Sequence, residues 1–220
     1  MIIYDQKNKS INGRENIIYF FILLAITSFV FFYTIKNKCL FVDKIDLKKI
    51  NFPNKSNIVI MNVECGMVII ELLPNLSPNS VERFKFFVSN GDYDGSSFYR
   101  VIKNTLLQAG DLEFGNIENI DYFKVGSGKS KLGPINSEID SQFEFNAGSV
   151  GLVRGDEFNT EDSEFFILLK NVPLFKGEYT PIGKVIYGLD ALTKIKSSDK
   201  TEYVLRPDFL SDLKLLEQYN

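Results

Sequence analysis

The 220-residue sequence predicts a mainly β domain, a small closed antiparallel barrel capped by two helices, with one transmembrane helix before it. Three observations support this prediction. Residues 17–35 contain no charged side chain, several short β-branched runs follow after residue 56, and glycine-rich joints separate these runs. Short strands with a helical pattern near each end of the series are typical of a capped barrel.

The first predicted element is the apolar run at residues 17–35, IIYFFILLAITSFVFFYTI. Nineteen residues at about 1.5 Å each reach across a hydrocarbon core about 30 Å thick. A core helix would show a polar face, and a signal peptide would have a shorter apolar region with a small-residue cleavage site. We therefore expect an N-terminal tail at residues 1–16, an uncleaved single-pass membrane helix at 17–35 and a linker at 36–56.

The charge is distributed unevenly along the chain. Residues 1–50 carry eight basic and four acidic side chains, a net charge of +4, so residues 51–220 carry −7. An acidic domain argues against nucleic acid as a partner, because phosphate binding needs a basic face. Five lysines follow the apolar run and three basic residues precede it, a bias that favours a cytosolic domain. If the domain is lumenal, Asn54-Lys55-Ser56 and Asn75-Leu76-Ser77 are candidate glycosylation acceptors.

The absence of histidine and tryptophan limits the chemistry of the protein. Without histidine there is no Ser-His-Asp or Cys-His catalytic group and no His-ligated zinc. Cys39 and Cys65, the only cysteines, are too few for a thiolate zinc or iron–sulfur site within one chain, or for a disulfide framework. We therefore expect no metal and no cofactor.

The predicted domain begins with a hairpin and a helix. Residues 57–64 and 66–73 are β-branched runs joined at Cys65-Gly66. Ser77 suits the N-cap of the following helix, Pro78 its first position, and Asn90-Gly91 its end. We expect further strands at 97–102, 148–154, 164–170 and 181–187, a second helix at 188–196, and a long loop at 116–134. The domain is expected to cover residues 57–199, with a C-terminal extension at 200–220 that packs on the barrel or trails it.

Residues 98–111, FYRVIKNTLLQAGD, resemble the signature of the cyclophilins, a family of prolyl isomerases. Four other segments resemble the family in the expected order within residues 57–197: CGMVIIEL at 65–72, YDGSSF at 93–98, SEFFI at 163–167 and IGKVIYG at 182–188. The resemblance implies an eight-stranded barrel with two helices and a shallow outer groove for proline. It also implies a monomeric domain whose partners are proline-containing peptides or client proteins.

The resemblance places Arg100 on the family's catalytic arginine, Gln108 on the glutamine that holds the substrate backbone, and Phe166 on the phenylalanine that floors the proline pocket. Phe165 is the other half of this aromatic pair and is also assigned to the substrate surface, although one of the two rings can belong to the core instead. Isomerising an X-Pro bond has to overcome amide resonance, a barrier of about 18–20 kcal/mol, and needs no nucleophile or metal. A permanently charged guanidinium that favours the twisted amide meets this need.

Several groove positions depart from the family pattern. Thr105 stands in place of a pocket-lining phenylalanine, Leu106 in place of a methionine and Glu164 in place of a substrate-contacting glutamine. We expect Glu164 to lie beside Arg100 and to compete with the substrate for the guanidinium. The remaining departures are Val153 and Arg154 at the usual Ala-Asn or Ala-Arg pair, Leu174 at the tryptophan position and Tyr179 at the histidine position. These changes predict reduced activity, because the pocket binds by apolar contact.

Three functional interpretations remain open at this point. The first is a membrane-anchored peptidyl-prolyl cis-trans isomerase, the second a barrel that binds proline-containing or basic partners without catalysis, and the third an anchored barrel with no function in its groove. The membrane anchor and the pattern V-I-K-N-x-L-x-Q-A-G at residues 101–110 are similar to a secretory-pathway subgroup of the family. This similarity favours a lumenal domain, whereas the lysine bias favours a cytosol-facing one.

Overall fold

A computed structural model describes residues 13–36, 38–40, 42–198 and 202–219. The chain divides into two compact units, residues 1–40 and 41–220. Residues 1–12 of the predicted tail lie outside the described residues, as does the expected domain boundary at 199–200.

The first unit consists mainly of helix α1, Gly13–Lys36. Its segment Glu15–Thr34 has 20 residues with a mean hydropathy of 2.3, and none of its most apolar window is buried. Large apolar side chains such as Ile17, Phe29 and Phe32 are exposed on all sides of the helix. The length and composition suit a membrane span, and a signal sequence near an N-terminus has the same properties.

The second unit is built on one antiparallel sheet of eight strands, which curls into a half-barrel. The strands are β1 Ile58–Val63, β2 Gly66–Leu72, β3 Arg100–Ile102, β4 Leu106–Ala109, β5 Ser149–Leu152, β6 Phe165–Leu168, β7 Pro181–Tyr187 and β8 Leu210–Leu215. Their order across the sheet is β3-β4-β6-β5-β7-β2-β1-β8.

The sheet is open, which differs from the closed barrel that the sequence predicts. β3 and β8 are its two edges, and no ladder joins them among the described residues. Isolated bridges such as Ser97↔Phe209 and backbone hydrogen bonds link residues 95–101 to residues 202–210 instead. Residues 202–209, which precede β8, therefore lie along the β3 edge of the sheet without forming a regular strand pair.

The hairpin at Cys65-Gly66 is confirmed, with Val63 opposite Gly66 in the β1–β2 register. Two strands were not identified from the sequence: β4, which lies inside the family motif, and β8. β8 lies in the segment expected to be a C-terminal extension, and it pairs with β1. Its apolar residues are too few for a clear alternation, so pairing with β1 stabilises a strand that local pattern does not indicate.

Helix α2, Pro78–Asn90, begins and ends where the sequence predicts, with Gly91 in the left-handed region at φ 74°. Its first N–H groups are capped in a way that the sequence does not indicate. The Ser77 hydroxyl makes no cap hydrogen bond and donates instead to the Pro181 carbonyl. The Glu138 carboxylate caps the helix, because it accepts from the N–H groups of Asn79 and Ser80 at 3.1 and 2.8 Å. Burial raises the pKa of Glu138, but these hydrogen bonds outweigh it and hold the pKa below its ordinary value.

Helix α3, Leu189–Leu192, is shorter than the predicted helix at 188–196, because the chain continues as turns after Leu192. The predicted loop at 116–134 is confirmed, since residues 110–148 form turns and isolated bridges without a regular strand or helix. Asp111 organises this loop. Its buried carboxylate accepts hydrogen bonds from the backbone N–H groups of Glu113, Phe114, Gly126 and Gly128.

The core follows from the alternation of side chains along the strands. In β1, Val59 and Met61 face the central core with Phe84 of α2. Ile58 and Ile60 face the opposite side of the sheet, where Phe52 covers them. The expected linker at 36–56 therefore includes residues that pack on the sheet. A further apolar cluster surrounds Phe166 on the outer face of β4, β5 and β6, and it marks the place of the candidate site.

Candidate active site

The candidate site lies along one row of directly opposed residues in four neighbouring strands. Arg100 of β3 lies opposite Gln108 of β4, Gln108 lies opposite Phe166 of β6, and Phe166 lies opposite Gly151 of β5. Directly opposed residues of antiparallel strands carry their side chains on the same face. The register therefore places a guanidinium, an amide and an aromatic ring in sequence on the outer face of the sheet.

Arg100 is held at the polar end of this row. Its Nη1 donates to Oε1 of Gln108 at 3.0 Å, and its Nε donates to Oε2 of Glu202 at 2.8 Å. The same Glu202 oxygen lies 2.6 Å from Nη2. The expectation that Glu164 pairs with Arg100 is therefore wrong, since the carboxylate beside the guanidinium belongs to Glu202, which lies 102 residues further along the chain.

Glu164 instead joins a buried network on the other side of Gln108. Its carboxylate accepts from the Tyr99 hydroxyl and from Nε2 of Gln108, the latter at 2.9 Å. Nε2 of Gln108 also donates to the Tyr99 oxygen at 2.5 Å. Both hydrogens of Nε2 are thus engaged within the protein, so Gln108 must exchange one of these bonds before it can donate to a substrate carbonyl.

The burial of this network shifts its protonation equilibria. Burial raises the pKa of the Glu164 carboxyl, although the hydrogen bonds from Tyr99 and Gln108 act in the opposite direction. Burial also raises the pKa of Tyr99 well above its ordinary value, and the charge of Glu164 adds to this effect. Tyr99 therefore stays a neutral hydrogen-bond donor, while Glu164 is a carboxylate that its surroundings disfavour in the ionised form.

Phe166 forms the apolar end of the row and is only 2% exposed. The centroid of its ring lies 5.3 Å from that of Phe175, 5.2 Å from that of Tyr179 and 5.9 Å from that of Phe145. Phe145 and Phe175 were not identified from the sequence. The alternation Phe143-Glu144-Phe145 was the available signal for the first, and the position of Phe175 directly after Leu174 was the signal for the second.

Phe165 lies on the opposite face of β6 and contributes to the central core. Its ring centroid is 5.4 Å from those of Phe84 and Tyr93, and its side chain is fully buried. Because successive side chains of a strand point to opposite faces, only one of the two neighbouring rings can face the groove. The assignment of Phe165 to the substrate surface is therefore corrected.

The other predicted groove residues differ in their surroundings. Leu106 is buried in the cluster around Phe166, and Val153 is half-buried at its margin. Thr105 is half-buried in the β3–β4 turn, where its hydroxyl donates to the Lys103 carbonyl at 3.2 Å. Leu174, in the short turn Pro173–Phe175, is 86% exposed. Leu174 therefore does not form part of the aromatic wall in this structure.

Arg154 follows β5, the strand at the far end of the row from Arg100. Its Nε donates to the Glu178 carbonyl at 2.8 Å, and its Nη2 lies 3.0 Å from the Glu178 carboxylate. The guanidinium lies over the rings of Phe158 and Tyr179, at 4.5 and 5.3 Å from their centroids. A polar cavity of about 90 Å³ beside it is lined by residues that include Val153 and Glu164. Within the described ranges, no group of three or more Asp, Glu, Cys or His side chains could hold a metal ion.

Comparison with known proteins identifies the family of the chain. Residues 58–214 match the family described as Cyclophilin type peptidyl-prolyl cis-trans isomerase/CLD. A probable peptidyl-prolyl cis-trans isomerase of Brucella suis is 38% identical over 147 residues, which cover 66% of this chain and 74% of the relative. A peptidyl-prolyl cis-trans isomerase of Acinetobacter baylyi is 29% identical over 153 residues, which cover 67% and 76%.

A solved structure shows the same fold. The cyclophilin-type isomerase of Cryptosporidium parvum, crystallised in the presence of the dipeptide Ala-Pro, has a TM-score of 0.62 and 25% sequence identity. The similarity covers 72% of this chain and 98% of that one. With the family match over residues 58–214, this chain belongs to the cyclophilin-type peptidyl-prolyl cis-trans isomerases.

Proposed function

We propose that the folded unit isomerises X-Pro bonds in proline-containing client proteins at a membrane, with Arg100 as its catalytic residue. The observation that carries this proposal is the row of Arg100, Gln108 and Phe166, in which a permanently charged donor stands two strands away from a buried aromatic floor. A peptide laid along the row meets an apolar surface for its proline ring and a cation for its amide.

The chemistry of the reaction fits these groups. Rotation about the X-Pro bond removes amide resonance, and the prolyl nitrogen then regains a lone pair that can accept a hydrogen bond. The guanidinium of Arg100 supplies a donor that stays charged at every physiological pH. Phe166 and Tyr179 form an apolar surface that excludes water, which strengthens this interaction in the transition state. Gln108 is proposed to hold the peptide backbone after it exchanges its bond to Glu164.

A second candidate function is peptide binding with little or no catalysis. The observation that favours it is the internal saturation of Gln108, whose Nε2 already donates to Tyr99 and Glu164. Thr105 also offers less apolar wall than an aromatic side chain would. In this candidate the groove holds a proline-containing segment, but the backbone contact that fixes the twisted amide is missing.

We further propose that α1 anchors the protein in a membrane of the secretory pathway and that the folded unit is lumenal. Twenty residues of mean hydropathy 2.3, exposed on all sides, support the anchor. The similarity of residues 101–110 to a secretory-pathway subgroup supports the lumenal side, while the lysines after α1 oppose it.

The role of Arg100 predicts a specific loss of activity. In a protease-coupled assay with a proline peptide and the full chain in detergent, Arg100→Ala should lower kcat/KM about 100-fold or more, because one preorganised donor is removed from the transition state. The kcat/KM of Arg100→Lys should lie between those of the wild type and Arg100→Ala, since lysine keeps the charge but lacks the planar fork. Lys103→Ala, which removes an exposed cation from the β3–β4 turn, is the matched control. Equal rates for the wild-type and Arg100→Ala chains would refute the role of Arg100.

Binding measured on the same chains separates the two candidate functions. A wild-type protein that binds the peptide without accelerating its isomerisation would select the binding module.

Glu164→Gln should make the protein more stable than the wild type at neutral and alkaline pH, but not in acid. The folded pKa of Glu164 is raised, so its favourable contribution is complete below the ordinary glutamate pKa of about 4.3 and is lost as pH rises through the folded value. The difference in the free energy of unfolding between variant and wild type, measured with denaturant from about pH 4 to pH 8, should therefore grow across this window. Glu118→Gln, an exposed loop substitution, should show no such trend. A constant difference for Glu164→Gln would contradict this prediction.

The orientation predicts protection of the folded unit in sealed microsomes. Protease added outside should leave residues 41–220 intact until detergent opens the vesicles. Digestion of the unit in intact vesicles would place it in the cytosol.

A further inference from the structure

The edge of β3 is covered by a short segment of the C-terminal part of the chain. The N–H of Val101 donates to the Glu202 carbonyl at 2.8 Å, and the N–H of Val204 donates to the Tyr99 carbonyl at 2.8 Å. Between them, Tyr203 lies opposite Arg100 in an isolated antiparallel bridge. The ring of Tyr203 is stacked on that of Tyr99, with a centroid distance of 6.3 Å and an angle of 24°. Backbone and side-chain contacts therefore both fix the segment beside Arg100.

Arg100 is thereby held between two neighbours, one on each side of β3. On one side, Oε2 of Glu202 lies 2.8 Å from Nε and 2.6 Å from Nη2. On the other side, Nη1 donates to Gln108 at 3.0 Å. Among the residues that the structure describes, these contacts engage three of the five N–H groups of the guanidinium and leave one on each Nη atom.

We propose that Glu202 is a positioning residue of the isomerase, which holds the Nε–Nη2 edge of Arg100 so that the free N–H groups face the groove. The proposal rests on the proposed catalytic role of Arg100. An unrestrained arginine has many rotamers, and ordering it during each catalytic cycle costs conformational entropy. A misplacement of a catalytic group by about 1 Å can cost two orders of magnitude in rate.

The alternative role for Glu202 is competition with the substrate for the guanidinium. The geometry favours positioning, because the carboxylate occupies the edge that contains Nε, whereas the contact with Gln108 is made by Nη1 at the other end of the fork. The Glu202 side chain is also 52% exposed. Solvent therefore screens its negative charge, and the carboxylate reduces the positive potential of Arg100 only weakly. Its directional hydrogen bonds still restrict the orientation of the guanidinium.

The first test is kinetic and uses the full chain in detergent. Glu202→Ala should lower kcat about tenfold and leave KM within about twofold, because the group acts on the transition state through Arg100. Glu202→Gln should recover part of the loss, since its amide oxygen still accepts a hydrogen bond from Nε. In an Arg100→Lys background, which lacks Nε as a donor, Glu202→Ala should have little further effect. Glu118→Gln is the control for removal of an exposed carboxylate. An unchanged or increased kcat in Glu202→Ala would overturn the proposal.

The second test does not depend on catalysis. In ¹⁵N NMR spectra of the arginine side chains, the Nε–H of Arg100 should exchange slowly with water in the wild type and at least tenfold faster in Glu202→Ala. An Nε–H signal that the substitution leaves unchanged would overturn the proposal. If the wild-type chain has no isomerase activity, the proposed function fails, and this spectrum still decides whether Glu202 holds the guanidinium.

Discussion

The antiparallel register of four strands is the constraint on which the site depends. It places Arg100, Gln108, Phe166 and Gly151 directly opposite one another in β3, β4, β6 and β5. A shift of one residue in any pair would turn the corresponding side chain into the core. Gly151 completes the row by its lack of a side chain, because a Cβ at that position would lie 2.4 Å from Cζ of the Phe166 ring. The aromatic floor therefore rests against bare backbone.

The two faces of the same strands connect the site to the stability of the fold. Phe165 packs with Phe84 of α2 in the core, while its neighbour Phe166 faces the groove. The polar end of the row is different, because it combines one cation with carboxylates on both sides, Glu202 beside Arg100 and Glu164 beside Gln108. The first carboxylate is half exposed and the second is buried, so their effects differ. We propose that Glu202 orients the guanidinium and that Glu164 restricts the amide of Gln108.

Much of the fold could be predicted because it depends on local signals, such as the β-branched runs of the hairpin and Pro78 and Gly91 at the ends of α2. The family motif led to Arg100, Gln108 and Phe166, which share one face of the sheet. The open edge of the sheet, strand β8 and the contact of Glu202 with Arg100 could not be predicted, since they join residues that lie about 100 or more positions apart. The sequence also does not show which side chains contact a residue that departs from the family pattern. Glu164 was expected beside Arg100, but it is hydrogen-bonded to Tyr99 and Gln108.

The central claim, that this row of residues forms a catalytic groove, is tested most directly by exchange NMR spectroscopy of a proline peptide with a small amount of the full chain in detergent micelles. The account predicts exchange cross-peaks between the cis and trans forms of the peptide with the wild type. It predicts their loss with Gly151→Ala, whose added Cβ displaces the ring of Phe166 from the row. Peptide signals that broaden on binding without cis–trans exchange, or equal exchange in both proteins, would contradict the claim.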